Sequence, residues 1–107
     1  MCIRDSAILR SSDIDRPVDV RCDVAIVGSG AGGSVLAAGL VARGLSVVML
    51  EEGSHLTRQD FTLQEVDAYP ALYQESTTRS TADQAISILQ GRSVGGSTTI
   101  NLSLIHI

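Results

Sequence analysis

Two glycine-rich stretches carry the spacing with which proteins bind phosphate groups. The first, VGSGAGG, follows the pattern G-x-G-x-x-G from residue 28 to residue 33. In this pattern the first glycine makes a tight turn, the second lets the backbone approach a pyrophosphate, and the third lets a helix pack closely on a strand. The N–H groups and the dipole of the following helix then attract the phosphates. The pattern predicts a dinucleotide site that includes Gly28, Ser29, Gly30, Ala31 and Gly33.

An acidic residue follows the next apolar run, about 20 residues after the glycine turn, as such a site requires. This run, LSVVML, ends at Glu51. A carboxylate there can accept hydrogen bonds from both hydroxyls of an adenosine ribose, and each bond to a charged group contributes roughly 1.5–3 kcal/mol. The same charge would repel a 2′-phosphate, which disfavours NADP. We interpret Glu52 as a solvated charge, because strand alternation points it the other way. NAD and FAD both remain open from these residues.

Apolar runs and glycines predict the elements that would position these residues. The β-branched run 22–27 is typical of a buried parallel strand, residues 34–43 carry a helical pattern, and residues 45–50 form a second buried strand. Gly44 is placed to end the helix in a left-handed conformation. Two strands joined by one helix predict an α/β fold that contains a right-handed βαβ unit.

The pattern is weaker after residue 53. Thr62 and Glu65 have capping-box spacing and predict a short helix that Pro70 interrupts. Residues 85–90, AISILQ, are a candidate third strand. Residues 97–101, STTIN, are predicted to begin another helix.

The second glycine-rich stretch, GRSVGGSTTIN at residues 91–101, favours FAD over NAD. Its glycines again let the backbone approach a ligand, and the hydroxyls of Ser97 and Thr98 can donate at a helix N-terminus. An NAD dehydrogenase has no general need of a second such turn. An extended FAD molecule does, because its pyrophosphate and flavin reach well past the first turn.

Together the two motifs resemble those of the glucose–methanol–choline (GMC) family of flavin-dependent oxidoreductases. DVAIVGSGAGGSVLAAGL, followed by VVMLEEG, looks like the start of that family's FAD-binding domain, and GRSVGGSTTIN is similar to the family's first signature. The resemblance spans most of the chain. It implies an FAD-binding Rossmann-like domain that is truncated here before the rest of the sheet and the substrate domain.

The resemblance also implies an activity and a set of cofactor contacts. The expected reaction is oxidation of a small-molecule alcohol to a carbonyl compound, with hydride passing to flavin N5. Gly28, Gly30 and Gly33 would meet the pyrophosphate, and Glu51 the adenosine ribose. The residues expected at the pyrophosphate and flavin end are Arg92, Gly96, Ser97 and Asn101.

No catalytic residue is expected within this chain, because the histidine base of the family lies near the C-terminus. We therefore expect the chain by itself to be inactive. Two alternatives stay open. One is another FAD- or NAD-dependent Rossmann oxidoreductase, and the other is a dinucleotide-binding fragment without chemistry.

The two ends of the chain are expected to be foreign to the protein. MCIRDS at the start and LSLIHI at the end can be encoded by DNA strings that are reverse complements of each other. Natural termini have no reason to be related in this way, whereas a sequencing-library adapter does. We interpret residues 1–6 and 102–107 as adapter-derived, and residues 7–101 as the N-terminal part of an FAD-binding domain.

Composition argues against several other classes of protein. The net charge is −4 and no Lys/Arg cluster is present, which disfavours a nucleic-acid partner. The apolar run 24–42 is broken by clustered glycines, which favours a strand, turn and helix over a membrane span. Outside the expected adapter, Cys22 stands alone and supports neither a disulfide framework nor a metal site. We expect a cytoplasmic protein, and the oligomeric state stays open.

Overall fold

The computed structural model describes residues 8–100. The predicted site residue Asn101 and the expected adapter segments 1–6 and 102–107 lie outside the described residues. The main elements in chain order are β1 (Val24–Val27), α1 (Ala31–Val41), β2 (Val47–Leu50) and α2 (Glu65–Leu72). Short 3-10 helices occur at Ser11–Asp13, Arg58–Asp60 and Gln74–Thr77, and residues 97–100 are helical.

β1 and β2 form a two-stranded parallel sheet, and α1 is the connection between them. The register pairs Val24 with Val47 and Val27 with Leu50. This arrangement confirms the predicted α/β fold with a βαβ unit. Both strands start two residues later than the sequence predicts, because side-chain hydrogen bonds hold the residues in front of them.

A clamp between Asp23 and Ser46 aligns the starts of the two strands. The N–H and the hydroxyl of Ser46 both donate to Asp23 Oδ2 at 2.7 Å. In return, the N–H of Asp23 donates to Ser46 Oγ at 2.9 Å. The hydrogen bond from the Ser46 side chain, aided by that from the Ser46 backbone, holds the pKa of the Asp23 carboxyl below its ordinary value of 3.8.

α1 begins at Ala31, and the predicted start at residue 34 is therefore wrong. The first helical turn closes where the Ser34 N–H donates to the Gly30 carbonyl at 2.9 Å. The chain reverses in fewer residues than expected, because Gly28 alone adopts the left-handed conformation (φ 91°) in this turn. Gly30 is already extended (φ −62°, ψ −173°) and serves as the N-cap.

Gly44 ends α1 in the predicted left-handed conformation, with φ 83°. Its N–H donates to the Val41 carbonyl at 2.9 Å, and the Leu45 N–H donates to the Leu40 carbonyl at 3.2 Å. This pair of bonds is the Schellman motif, which satisfies carbonyls that a helix end leaves open. The predicted cap is confirmed.

α1 packs directly on the glycine turn through Gly33. A Cβ atom added at Gly33 would overlap the Gly28 carbonyl and lie 3.4 Å from Cγ2 of Ile26. Ile26 is itself buried, with 7% of its surface exposed. Gly33 therefore performs the packing task that the motif assigns to its third glycine.

The predicted break of α2 at Pro70 is wrong, since the helix continues to Leu72, which is buried. A proline this far into an eight-residue helix removes one backbone hydrogen bond, and burial of Leu72 offsets that loss. The capping box predicted from Thr62 and Glu65 is also absent. The N-cap is Gln64, which makes no side-chain cap bond, and the Thr62 hydroxyl donates instead to Asp67 Oδ2 at 3.0 Å.

Residues 85–90 do not form the predicted third strand. They meet residues 79–81 through two backbone hydrogen bonds, Thr81 N–H to the Ile86 carbonyl and Ile88 N–H to the Arg79 carbonyl. Only one isolated bridge, between Ser80 and Ser87, results. An apolar run becomes a strand only where a partner of similar length offers a hydrogen-bond ladder, and the polar segment opposite is too short.

The apolar core of residues 8–100 is small. Within this range the buried apolar side chains are Ile26 and Leu72, whereas Val27, Val35 and Leu50 are more than half exposed. Backbone hydrogen bonds and close glycine contacts therefore supply much of the order around the turns. None of the helices in residues 8–100 has the length and apolar character needed to cross a bilayer.

We predict that Gly33→Ala destabilises the protein by about 1–3 kcal/mol, the usual cost of overpacking. The added methyl group would meet the Gly28 carbonyl, which belongs to a backbone turn that cannot yield easily. Gly39→Ala is the control, because a Cβ there meets Arg43 Nη1 at an ordinary 3.6 Å. In the same helix, that substitution should stabilise by about 1 kcal/mol. Urea unfolding measures both, and equal stability of the two variants would contradict the prediction.

We also predict that Asp23→Ala lowers the melting temperature at neutral pH and that the deficit shrinks in acid. The folded-state pKa of Asp23 is depressed, so its carboxylate stabilises the fold above 3.8 and loses this effect as the pH falls through the folded pKa. Melting curves of both proteins from pH 7 down to about pH 2 test this. Asp19→Ala, on the exposed segment before β1, controls for the loss of one negative charge. A deficit that is the same at every pH would show that the clamp is not electrostatic.

Candidate functional site

The two glycine turns line one cavity of about 540 Å³ at the C-terminal ends of β1 and β2. Open α/β sheets bind ligands at this end of their strands, and ligand pockets typically measure about 300–1,000 Å³. The structure brings six of the predicted site residues to the cavity wall: Gly28, Gly30, Ala31, Glu51, Gly96 and Ser97.

The first turn presents bare backbone to the cavity. The Gly28 N–H donates to the Leu50 carbonyl at 2.7 Å, which continues the strand pairing into the turn. A Cβ added at Gly30 would meet no protein atom within 4 Å. The protein itself thus places no steric demand for glycine at position 30. A ligand that approaches the backbone closely would create that demand. The first N–H groups of α1 have no intrahelical acceptor, so they can donate hydrogen bonds to such a ligand.

Glu51 lies at the end of β2 with its carboxylate held by backbone and side-chain donors. Oε2 accepts hydrogen bonds from the N–H of Ser29 at 2.9 Å and from its hydroxyl at 2.6 Å. Oε1 accepts one from the Gly53 N–H at 2.8 Å. Partial burial raises the pKa of Glu51, but the bonds from Ser29 and Gly53 outweigh it and hold the pKa below 4.5. The carboxylate is therefore ionised at neutral pH. The three hydrogen bonds occupy three of its roughly four lone-pair sites, which leaves about one site for a ligand.

Ser29, predicted as a cofactor contact, lies beneath the cavity wall and is only 3% exposed. Its hydroxyl donates to Glu51 and accepts a hydrogen bond from the Gly95 N–H at 3.0 Å. A single side chain thus joins the first glycine turn, the end of β2 and the second glycine turn. The sequence pattern did not indicate this role, nor any role for Gly95.

The second turn is built on two left-handed glycines, Gly95 (φ 91°) and Gly96 (φ 60°). A Cβ added at Gly96 would lie 3.1 Å from the Cα of Gly30, so the two turns are in direct contact. Helical structure begins at Ser97, as predicted, and the Ser97 hydroxyl accepts a hydrogen bond from the Gly91 N–H at 3.0 Å. The backbone of this turn lines the cavity together with Glu51.

The remaining predicted residues lie elsewhere or outside the described range. Gly33 faces the first turn rather than the cavity. Arg92 forms an ion pair with Glu52 at 3.8 Å and borders a separate hollow of about 130 Å³. Asn101 is outside the described residues. The cofactor roles assigned to these residues stay predictions.

Several residues of the cavity wall were not predicted from the sequence. They are Val27, Leu50 and Gln90. Gly91 and Thr98, which the sequence indicated as parts of the second motif, also line the cavity. Glu52 also borders the cavity, although its ion pair and exposure agree with the expected solvated charge. The described residues contain no group of three His, Cys, Asp or Glu side chains that could hold a metal ion.

Comparisons with known proteins point to one type of oxidoreductase. Residues 26–76 match a family model described as an NAD(P)-binding Rossmann-like domain. The chain is 41% identical, over 85% of its length, to long-chain-alcohol oxidase FAO4B of Arabidopsis thaliana and covers 12% of that protein. It is 42% identical, over 81% of its length, to an uncharacterized GMC-type oxidoreductase of Mycobacterium tuberculosis (strain ATCC 25618 / H37Rv), of which it covers 14%.

A third relative is the uncharacterized GMC-type oxidoreductase y4nJ of Sinorhizobium fredii. The chain is 35% identical to it over 85% of the chain's length and covers 18% of that protein. The chain thus spans less than a fifth of the length of each of these relatives. No solved structure matches it. Over the residues that it shares with these proteins, the chain is similar to long-chain-alcohol oxidases and GMC-type oxidoreductases, and it contains a Rossmann-like dinucleotide-binding region.

Proposed function

We propose that the chain is the N-terminal part of an FAD-dependent oxidoreductase that oxidises an alcohol CH–OH group to a carbonyl. The observation that carries the proposal is the joining of two glycine turns, 66 residues apart, around one cavity. Relatives named long-chain-alcohol oxidases support an alcohol as the substrate class. In this proposal residues 7–101 belong to the FAD-binding domain, and residues 1–6 and 102–107 come from an adapter.

The residues present fit a dinucleotide. Gly30 leaves open space where a side chain would stand, and the N-terminus of α1 offers N–H groups beside it. Gly28, Gly30 and Ala31 would hold the pyrophosphate, and the ionised Glu51 would accept one ribose hydroxyl at its remaining acceptor site. Gly96 and Ser97 would contact the part of the cofactor beyond the first turn.

The chain's own contribution to the reaction is binding and orientation. FAD, when bound, supplies a hydride acceptor at flavin N5. The carboxylate of Glu51 and the backbone of the first turn would hold the nucleotide end of the cofactor, and the second turn would contact the part beyond it. We assign no catalytic base to residues 8–100, and we expect the base to lie in another part of the protein. The cytoplasmic location stays a prediction.

NAD is the alternative cofactor, because the matching family model is described as NAD(P)-binding. One feature favours FAD over NAD, and another argues against NADP. The second turn adds backbone to the cavity wall, and a cofactor that contacts only the first turn would not need it. In addition, the carboxylates of Glu51 and Glu52 both border the cavity, and their charges would repel a 2′-phosphate, which argues against NADP.

The full-length protein tests the proposal. We expect it to be purified with bound flavin and to lose its visible flavin absorbance when an alcohol is added without oxygen. A series of primary alcohols of increasing chain length would then identify the preferred substrate. A colourless protein that binds NAD, or a flavoprotein that no alcohol reduces, would contradict the proposal.

We predict that Gly30→Ala weakens FAD binding by at least about tenfold, or roughly 1.4 kcal/mol, while stability falls by no more than about 1 kcal/mol, because Ala is a weaker N-cap than Gly. The methyl group would stand in the open space that the pyrophosphate should occupy. Gly32→Ala is the matched control, since a Cβ there is equally free of protein contacts but position 32 does not line the cavity. Flavin fluorescence titration measures affinity and a thermal melt measures stability. Equal affinities of the two variants would show that the ligand does not approach residue 30.

A further inference from the structure

We propose that Ser29 is a positioning residue that ties the second glycine turn to the first and thereby sets the width of the cavity. The tie itself follows from the hydrogen bonds of the chain. Its effect on FAD affinity rests on the proposed function.

The geometry places the Ser29 hydroxyl between two partners. Its Oγ lies 2.6 Å from Glu51 Oε2 and 3.0 Å from the Gly95 nitrogen. Ser29 is 3% exposed, so water competes little for either bond. The Ser29 backbone N–H also donates to Glu51 Oε2, at 2.9 Å, which keeps the carboxylate in line with the hydroxyl.

The direction of the hydrogen-bond chain is fixed by elementary chemistry. A serine hydroxyl has one proton and two lone pairs, whereas an ionised carboxylate only accepts. The Ser29 proton must therefore point at Glu51, and a lone pair of Oγ faces the Gly95 N–H. Because a charged acceptor polarises the hydroxyl, the bond from Gly95 is strengthened as well. A side chain without a hydroxyl cannot fill both roles.

The rest of the second turn is anchored to other parts of the chain. The Arg92 N–H donates to the Leu72 carbonyl at 2.6 Å, and the Val94 N–H donates to the Ser54 carbonyl at 3.1 Å. These bonds hold residues 92–94 against Leu72 and Ser54 rather than against the first turn. The hydrogen bond from the Gly95 N–H to the Ser29 hydroxyl joins the second turn to the first.

This placement matters for the cavity, because Gly96 and Ser97 follow Gly95 directly. Gly96 lies close to Gly30, and both line the cavity together with Ser97. Gly96 and Ser97 are also bonded within their own turn, through the Gly96 N–H to the Ser93 carbonyl at 2.7 Å and the Gly91 N–H to the Ser97 hydroxyl at 3.0 Å. If the bond from Gly95 to Ser29 is lost, these bonds hold the second turn together but do not hold it against the first. The second turn can then move away from the first, and a ligand held between the two turns would bind less tightly.

Ser29→Ala in the full-length protein tests the proposal with two readouts. Hydrogen–deuterium exchange without added cofactor should show faster exchange of the Gly95 amide, by about tenfold or more, with exchange in β1 unchanged. FAD affinity should fall by about tenfold. Ser29→Thr, which keeps the hydroxyl, should restore protection of the Gly95 amide at least in part.

Ser34→Ala is the matched control. The Ser34 hydroxyl donates to the Ser29 carbonyl at 2.5 Å and makes no link to the second turn. It should leave both the exchange of Gly95 and the affinity for FAD unchanged. Unaltered exchange of Gly95 in Ser29→Ala would overturn the tie, whether or not FAD binds.

The unaltered protein provides a second measurement in case Ser29→Ala does not fold. Its Gly95 amide should be protected from exchange in the absence of cofactor, and an unprotected amide would also overturn the proposal. If the amide is protected but no flavin binds, the tie stands and the proposed function fails. The two inferences can therefore be distinguished.

Discussion

The parallel pairing of β1 with β2 is the constraint from which the site follows. Val27 pairs with Leu50, and the Gly28 N–H continues the ladder to the Leu50 carbonyl. Because both strands run in one direction, the glycine turn and Glu51 leave the sheet at the same edge. A slip of one residue would turn Glu51 to the opposite face. The clamp between Asp23 and Ser46, at the far end of the strands, therefore contributes to the geometry of a site that it does not touch.

Different physical constraints require glycine at different positions of the two turns. At Gly33 and Gly91 a side chain would overlap the protein's own backbone, so the fold alone requires glycine there. At Gly28 and Gly95 the left-handed backbone imposes the choice. Gly30 satisfies neither condition, since its φ is −62° and its surroundings are open. Neither left-handed backbone nor a clash within the protein requires glycine at this position, which supports a ligand that requires it.

The sequence predicted those features that depend on neighbours along the chain. The two strands, the Schellman end at Gly44, the helix start at Ser97 and the approach of Glu51 to the first turn follow from local pattern or from parallel topology. The start of α1 and the capping box failed on local geometry, whereas two other failed predictions depend on tertiary contacts. Residues 85–90 have strand-like composition but lack a ladder, and Pro70 is tolerated because Leu72 is buried. No pattern in the sequence specifies that a hydroxyl at residue 29 joins an N–H at residue 95.

Because the apolar core is small, a bound nucleotide would also contribute to the stability of the fold in the proposed function. Ile26 and Leu72 are the buried apolar residues within 8–100, and hydrogen bonds hold the turns. A ligand that binds only the folded state stabilises it by about 2.7 kcal/mol at a hundredfold excess over its Kd, a large share of a marginal stability. The two strands pair without a ligand. The second turn would gain the most stability from ligand binding. The first turn is already packed against α1 at Gly33, whereas the second is joined to the first by the hydrogen bond to Ser29. Loss of cofactor should therefore loosen the second turn before it disturbs β1 and α1.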